Sequence, residues 1–552
     1  MSRVLDRFAR RPWLVVFVLV STLHICWALA IPRNGGPDEP SHLRTAAADV
    51  RGQFLPPHEP GYADGVRRVS VPAALAGRFW PCFAFEKNET AGCQQPAVAG
   101  GNITQLTTSG KYPPLPYMPA GIGSFVTKGY RLHYAMRVAQ ALAMAALVAW
   151  AVAALARSRG GRLSMAGVLV ALTPTAMFLG GVVNPNGIED VGGLLLFSAG
   201  IALVAADADE HVRTGTVVAF AVGGIVLVSS RTLSPLWLLV ALATFAVAAR
   251  PGRLRVLTRR RDVRVALYAV GLATVAQVVW IVVSGLLHAV DKQVALTSTR
   301  TQIARGVAGR TSLLFRQMIG QFGWYEVNAS TTTVFVWIAA LVLLVGLALV
   351  IGRRRASLAM GVVVAAYLVV PVVIDVREAK LAGIVWQGRY SIPLIAGVTV
   401  LAGWELDRAG ILPLIVRRRL ANLIGVLFVA AQVTGFVWAL RRYMVGVDGE
   451  VMFWRSQGWR PPFPPLALLA VHAVATALTA WWLVAGVTRV PRELVTDEVE
   501  IDPPAPHRGG VLAAPDVDPR SDARVGASGA ATDGHVGVPA GTSASLNVEG
   551  AS

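Results

Sequence analysis

Apolar runs long enough to cross a bilayer recur along this chain, and they limit its possible folds more than any other feature. Residues 13–31 are almost wholly apolar, and further runs fall at about 134–156, 163–183, 190–206, 215–230, 236–249, 265–287, 331–351, 358–374, 390–404, 420–440 and 465–488. In hydrocarbon every backbone N–H and C=O must be satisfied within the protein, so such runs cross as helices. With 54% hydrophobic and 15% charged residues among 552, the chain is too apolar for an ordinary soluble enzyme. The expected fold is an all-α polytopic membrane protein with about 12 transmembrane helices, one per run.

Charge placement orients these spans. Arg3, Arg7, Arg10 and Arg11 precede the first run and no small-residue cleavage site follows it, so residues 1–12 read as a cytoplasmic N-terminus and 13–31 as a retained helix. An even number of spans puts 157–162, 207–214, 250–264, 352–357 and 405–419 together on the cytoplasmic side. Those segments hold Arg259, Arg260 and Arg261, Arg353, Arg354 and Arg355, and Arg417, Arg418 and Arg419. The formal charge of +19 therefore follows the positive-inside rule. No basic soluble domain accompanies it, so nucleic acid is not an expected partner. The run 117–127 is short for a span and reads as interfacial or re-entrant. Counting it as a span would send Arg259 to Arg261 outside.

The transmembrane body is expected over 13–488, with a large extracytoplasmic loop at 32–133. Shorter loops at 288–330, 375–389 and 441–465 share its side. Residues 489–552, rich in Pro, Gly, Ala, Ser and Asp, are expected to form a disordered cytoplasmic tail. Cys82 and Cys93 lie in the large loop; outside the cytoplasm they can pair, the alternative being two free thiols.

Ionisable groups at span ends are the candidates for chemistry. Pro37-Asp38-Glu39-Pro40-Ser41-His42 follows the first span and opens a short helix over 40–53. Two readings stand: a carboxylate of Asp38 or Glu39 acts as general base, or Asp38 caps the helix and Glu39 complements its dipole. Asp38 is the better placed of the two to cap, which would leave Glu39 the freer acid; which carboxylate does the work stays open, and His42 lies close to both. In Gln387-Gly388-Arg389-Tyr390 the arginine can hold a phosphate bidentately, or anchor the helix end at the interface. Asn184-Pro185-Asn186 supplies amides near the membrane, or forms a tight turn. Glu189, Asp190, Arg231 and Asp375 are further ionisable groups at span ends. No Walker loop, dinucleotide fingerprint, zinc-ligand spacing or nucleophile elbow is present. No metal ligands are assigned and no cofactor is required; nothing calls for a divalent cation.

Taken together, residues 37–42, the Cys82/Cys93 loop, Tyr112-Pro113-Pro114-Leu115-Pro116-Tyr117, Asn184-Pro185-Asn186 and Gln387-Gly388-Arg389-Tyr390 resemble an uncharacterised family of bacterial multi-pass membrane proteins over roughly residues 10 to 485. That family is similar in layout to the GT-C glycosyltransferases, which have many spans and an acidic motif opening a large first external loop. The resemblance implies an inverting transferase in the cell membrane, acting on its extracytoplasmic face in envelope glycan or glycolipid synthesis. Its donor would be a polyprenyl-phosphate sugar and its acceptor a glycan or lipid. Asp38 or Glu39 would be the catalytic base. His42, Arg389, Tyr390, Gln387, Asn184 and Asn186 would bind substrate or phosphate. The competing expectations are a transporter or flippase of envelope precursors, and a non-catalytic partner in envelope assembly.

Overall fold

The protein's structure, a computed structural model, describes residues 12–98, 100–158, 161–207, 210–286 and 298–486. Residues 1–11 and the expected tail at 489–552 lie outside the described residues. Every apolar run from 13–31 to 465–488 is helical. By length and hydropathy, eight helices among the described residues are long enough to cross a membrane, from Trp13–Ala30 to Pro465–Ala485, or nine if a bent pair counts as one span. The expected count of twelve is not confirmed, because Thr214–Val228, Ser234–Ala248 and Ile395–Arg408 have 15, 15 and 14 residues. At 1.5 Å per residue each rises only roughly 21–23 Å.

The bent pair, Arg162–Ala171 and Pro174–Gly180, turns by 69°. Pro174 lacks an N–H and disfavours a helical residue before it. Thr173 then restarts the helix by accepting the N–H of Ala176 at 3.1 Å. The run 117–127 yields only the six-residue helix Met118–Gly123, far too short to span. It packs on the Leu132–Arg157 helix so closely that a Cβ on Gly123 would sit 2.6 Å from the Ala135 carbonyl.

The arginine-bearing connections meet one another as the alternation of spans requires. Asp207 pairs with Arg250 and Arg408, Glu405 with Arg353 through two bonds, and Asp407 accepts the Ser164 N–H at 2.7 Å. The segment 32–133 packs with the opposite helix ends. In it, β1 (Arg67–Pro72) and β2 (Asn102–Thr107) form an antiparallel ribbon with Arg67 opposite Thr107, and Cys82 and Cys93 are disulfide-bonded. Arg442, fully buried on the Leu414–Val445 helix, donates to the carbonyls of Phe83, Glu86 and Glu89, fastening this segment to the bundle.

The helix expected over 40–53 spans Glu39–Asp49, and all of its residues are buried. Asp49 ends it with Oδ2 lacking a hydrogen-bond partner, and burial pushes its carboxyl up to about 8. Because the folded state holds this proton more tightly than the unfolded chain, where the value is roughly 3.9, its stability contribution is full below about pH 4. It is lost as pH rises towards 8. Thermal unfolding measured across that window should therefore show a decline that Asp49→Asn flattens; an identical slope in the variant would contradict the assignment.

Candidate functional site

A glycine, an amide oxygen and a carboxylate deliver Arg389 to its place. Gly388 lies where a Cβ would meet the Leu314 carbonyl, and its N–H donates to Gln317 Oε1 at 2.8 Å. Just before it, Asp375 Oδ1 accepts the N–H groups of Val385 and Trp386 at 3.1 and 3.0 Å. The following short helix, Gly388–Leu394, then projects the Arg389 guanidinium towards the 32–133 segment. Its Nη2 lies 3.3 Å from Asp38 Oδ2, across 351 residues of sequence. The arginine side chain is 9% exposed and the aspartate 52%. Arg389 Nε is buried with no hydrogen-bond partner.

Local strain concentrates at the same place. Asp38 has φ 57°, so the expected cap is left-handed and makes no side-chain capping bond. Among the described residues only Asn34, Asp38, Phe85 and Tyr325 are non-glycine residues with positive φ, at 62°, 57°, 68° and 76°. Aspartate and asparagine tolerate this region, whereas an aromatic residue there is a real outlier. All four converge. Trp324 Nε1 donates to the Asn34 carbonyl at 3.0 Å, Phe85 packs on Trp324, and the Tyr325 ring lies 5.2 Å from the Arg389 guanidinium. Residues held this way cost about 1–3 kcal/mol each and cluster at functional sites.

Glu39 has the opposite surroundings. It is sealed from solvent and accepts two bonds from Arg137, at 2.7 and 2.6 Å. The N–H groups of Gly36 and Val183 supply two more, at 3.0 and 3.1 Å. The same Arg137 donates to the carbonyls of Ala28, Ile31 and Pro32 at the end of the first helix. A fully buried carboxylate with four donors is a fastening, whereas Asp38, half-exposed, is the acid open to solvent.

The remaining candidates ring this pair. Asn184 caps the Pro185–Val204 helix and donates to the Pro37 carbonyl at 2.8 Å, which ties the turn to the acidic motif. Asn186 Oδ1 accepts from Arg231, whose guanidinium stacks 4.3 Å over the Tyr390 ring. Arg389 lies 5.4 Å from that same ring. Gln387 Oε1, Ser391 Oγ, Tyr325 Oη and both Asp190 carboxylate oxygens are buried without hydrogen-bond partners. His42 is buried between Tyr112 and Tyr117, with Nδ1 2.8 Å from Tyr117 Oη and 3.1 Å from Ser109 Oγ. Burial, reinforced by Arg389 and Arg231, holds it well below the usual imidazole range. It is thus a neutral ring and not a cationic phosphate ligand. Sequence reasoning missed Arg137 and Tyr325 altogether. Arg137 sits inside an apolar run, and an arginine at that depth was the available signal; Tyr325 carried none.

Among the described residues, no three His, Cys, Asp or Glu side chains come together in a set that could hold a metal ion. The arrangement therefore offers a half-exposed carboxylate against a buried guanidinium, bordered by unpartnered polar atoms, at the ends of apolar helices.

A polytopic, mostly helical membrane protein with a polar site at its helix ends is the class these features define. The chain belongs to the family described as a predicted membrane protein, DUF2142, which matches residues 22–398. No curated protein matches it in sequence. Among solved structures it is similar to ArnT from Cupriavidus metallidurans in the apo state, at 14% identity, 88% of this chain, 77% of that one and a TM-score of 0.42. The same protein bound to undecaprenyl phosphate matches at 14% identity over 87% and 77%, with a TM-score of 0.39. An oligosaccharyltransferase from Archaeoglobus fulgidus in the apo form matches at 12% identity over 80% and 57%, with a TM-score of 0.35.

Glu39→Gln should destabilise the protein by about 3–5 kcal/mol, because it leaves the buried Arg137 uncompensated. Asp38→Asn, at a half-exposed position, should change stability by less than about 1 kcal/mol. Unfolding of both variants in the same detergent measures the contrast, and equal losses would undo the division of labour.

Proposed function

We propose that this protein is an inverting glycosyltransferase of the cell membrane that uses a polyprenyl-phosphate-linked sugar on the extracytoplasmic face. The observation that carries the reading is the Asp38–Arg389 pair: a half-exposed carboxylate 3.3 Å from a buried guanidinium whose Nε has no partner. An unsatisfied buried donor is unfavourable by roughly 1–3 kcal/mol, and an arriving phosphate would satisfy it with the bidentate geometry an arginine offers. Two supports favour the extracytoplasmic side. The arginine-rich connections gather at the other helix ends, and the Cys82–Cys93 disulfide belongs to an oxidising compartment.

The chemistry follows from the pairing. Arg389 Nη2 faces the Asp38 carboxylate. A donor phosphodiester engaging Arg389 competes for the guanidinium and leaves the Asp38 carboxylate free to face the acceptor hydroxyl. Asp38 then takes the proton of the acceptor hydroxyl as its oxygen forms a bond to the anomeric carbon. The bond from that carbon to the phosphate oxygen breaks, and its electron pair leaves on the polyprenyl phosphate. One displacement inverts the anomeric centre. The phosphate gains a charge as it departs, which Arg389 meets directly, with Arg231 against the same Tyr390 ring adding a second positive charge nearby. Gln387 and Asn186 border the same space, Tyr325 walls it, and Glu39 holds the motif in place. No step uses a cofactor.

An enzyme is favoured over a transporter by where its ionised groups lie. Asp38 and Arg389 sit at helix ends, whereas coupling groups in transporters lie near the bilayer midplane. With purified protein, a polyprenyl-phosphate sugar pool and acceptor, Asp38→Asn should lower transfer at least about 100-fold. Arg389→Lys, which keeps the charge but loses the fork, should lower it roughly 10-fold or more. Full activity in Asp38→Asn refutes the base. Translocation of intact donor across vesicles, without release of polyprenyl phosphate, refutes the enzyme.

A further inference from the structure

We propose that the 32–133 segment carries a second binding site, a cleft for a glycan chain bearing negative charge. A cleft of about 550 Å³ opens beside the ribbon of β1 and β2, and it shares no lining residue with the crevice beside Arg389. Its walls combine two kinds of surface. Trp80 and Tyr62 present rings that are 57% and 52% exposed. Opposite them stand planar polar groups: Arg68 paired with Glu59 at 2.5 Å, and the Gln105 amide, which accepts the Gly77 N–H at 3.2 Å. A pyranose offers the complementary pair of surfaces, an apolar C–H face for an aromatic ring and a rim of hydroxyls that both donate and accept.

The cleft is built in advance. Arg44, 2% exposed, spends its guanidinium on the carbonyls of Leu75, Gly77, Arg78 and Leu106, at 3.1, 2.7, 3.3 and 2.7 Å. Those bonds lock the turn segment 75–78, just before Trp80, onto the helix Glu39–Asp49, so the ring is presented from a fixed frame. Aromatic side chains on such a frame lose little entropy when a ligand stacks on them.

Other occupants fit less well. Leu106 has its carbonyl occupied by Arg44, which removes the β2 edge as a template for an added peptide strand. Against acyl chains the Arg68–Glu59 pair and the Gln105 amide would be stripped of water without replacement, which is unfavourable. The lining holds three arginines against one glutamate, and Arg78 has no ion-pair partner among the described residues. That excess selects an acidic chain over a neutral one.

The inference does not depend on the transfer reaction and is tested by binding alone. Saturation-transfer NMR on the full-length protein in detergent, with hexagalacturonate and maltohexaose as probes, should give strong transfer to the acidic hexamer and weaker transfer to the neutral one. Trp80→Ala should abolish both, and Arg78→Gln, an exposed and conservative change, should bring the two signals level. Asp38→Asn should leave them unchanged. Absence of transfer to either sugar overturns the proposal. So does a fluorescence component, present in wild type and missing in Trp80→Phe, that brominated lipid quenches, since it would place Trp80 in the bilayer.

Discussion

The Glu39–Arg137 ion pair is the contact on which the rest of this site depends. Two buried charges are stable in a dry interior only when every lone pair and proton is matched. Here the match is made by groups from three places in the chain: Gly36 and Val183 on the acid, and the carbonyls of Ala28, Ile31 and Pro32 on the base. The exit of the first helix, the acidic motif and the helix beginning at Leu132 are thereby joined at one point. Because Glu39 is committed inward, the residue before it must turn the chain, and Asp38 does so in the left-handed region with its side chain outward. The exposure of one acid is a consequence of the burial of the other.

A second constraint arrives from the far side of the sequence. The hairpin Gln321–Asn328 packs Trp324 and Tyr325 against the same motif, and Tyr325 accepts a strained backbone in doing so. Arg389 is held between the Tyr325 ring and Asp38, with its loop fixed by Asp375 and Gln317. Four left-handed residues from three distant segments meet here, a density of strain that packing alone does not call for. Rigidity bought in this way keeps polar atoms unpaired that a relaxed structure would have satisfied.

Much of the architecture was legible in the chain. The apolar runs became helices in the expected order, and the arginine-rich connections met at one set of helix ends. The disulfide was among the pairings expected of the large loop. Two things were not legible, for different physical reasons. The number of full spans was not, because hydropathy does not reveal where a helix ends, as the short helices at 214–228 and 234–248 illustrate. The environment of each acid was not, because capping propensity is local, whereas the partner that claimed Glu39 lies 98 residues away.

The sequence by itself determined the helices, their order and the end at which charge collects, because hydrocarbon obliges each backbone segment to satisfy itself and the apolar length of a run is written in its own residues. Which carboxylate stays free, which arginine becomes a fastening and which a ligand-ready cation were decided only by the tertiary structure. Burial and hydrogen bonding set the behaviour of an ionisable group, and in this protein both are supplied by residues far along the chain.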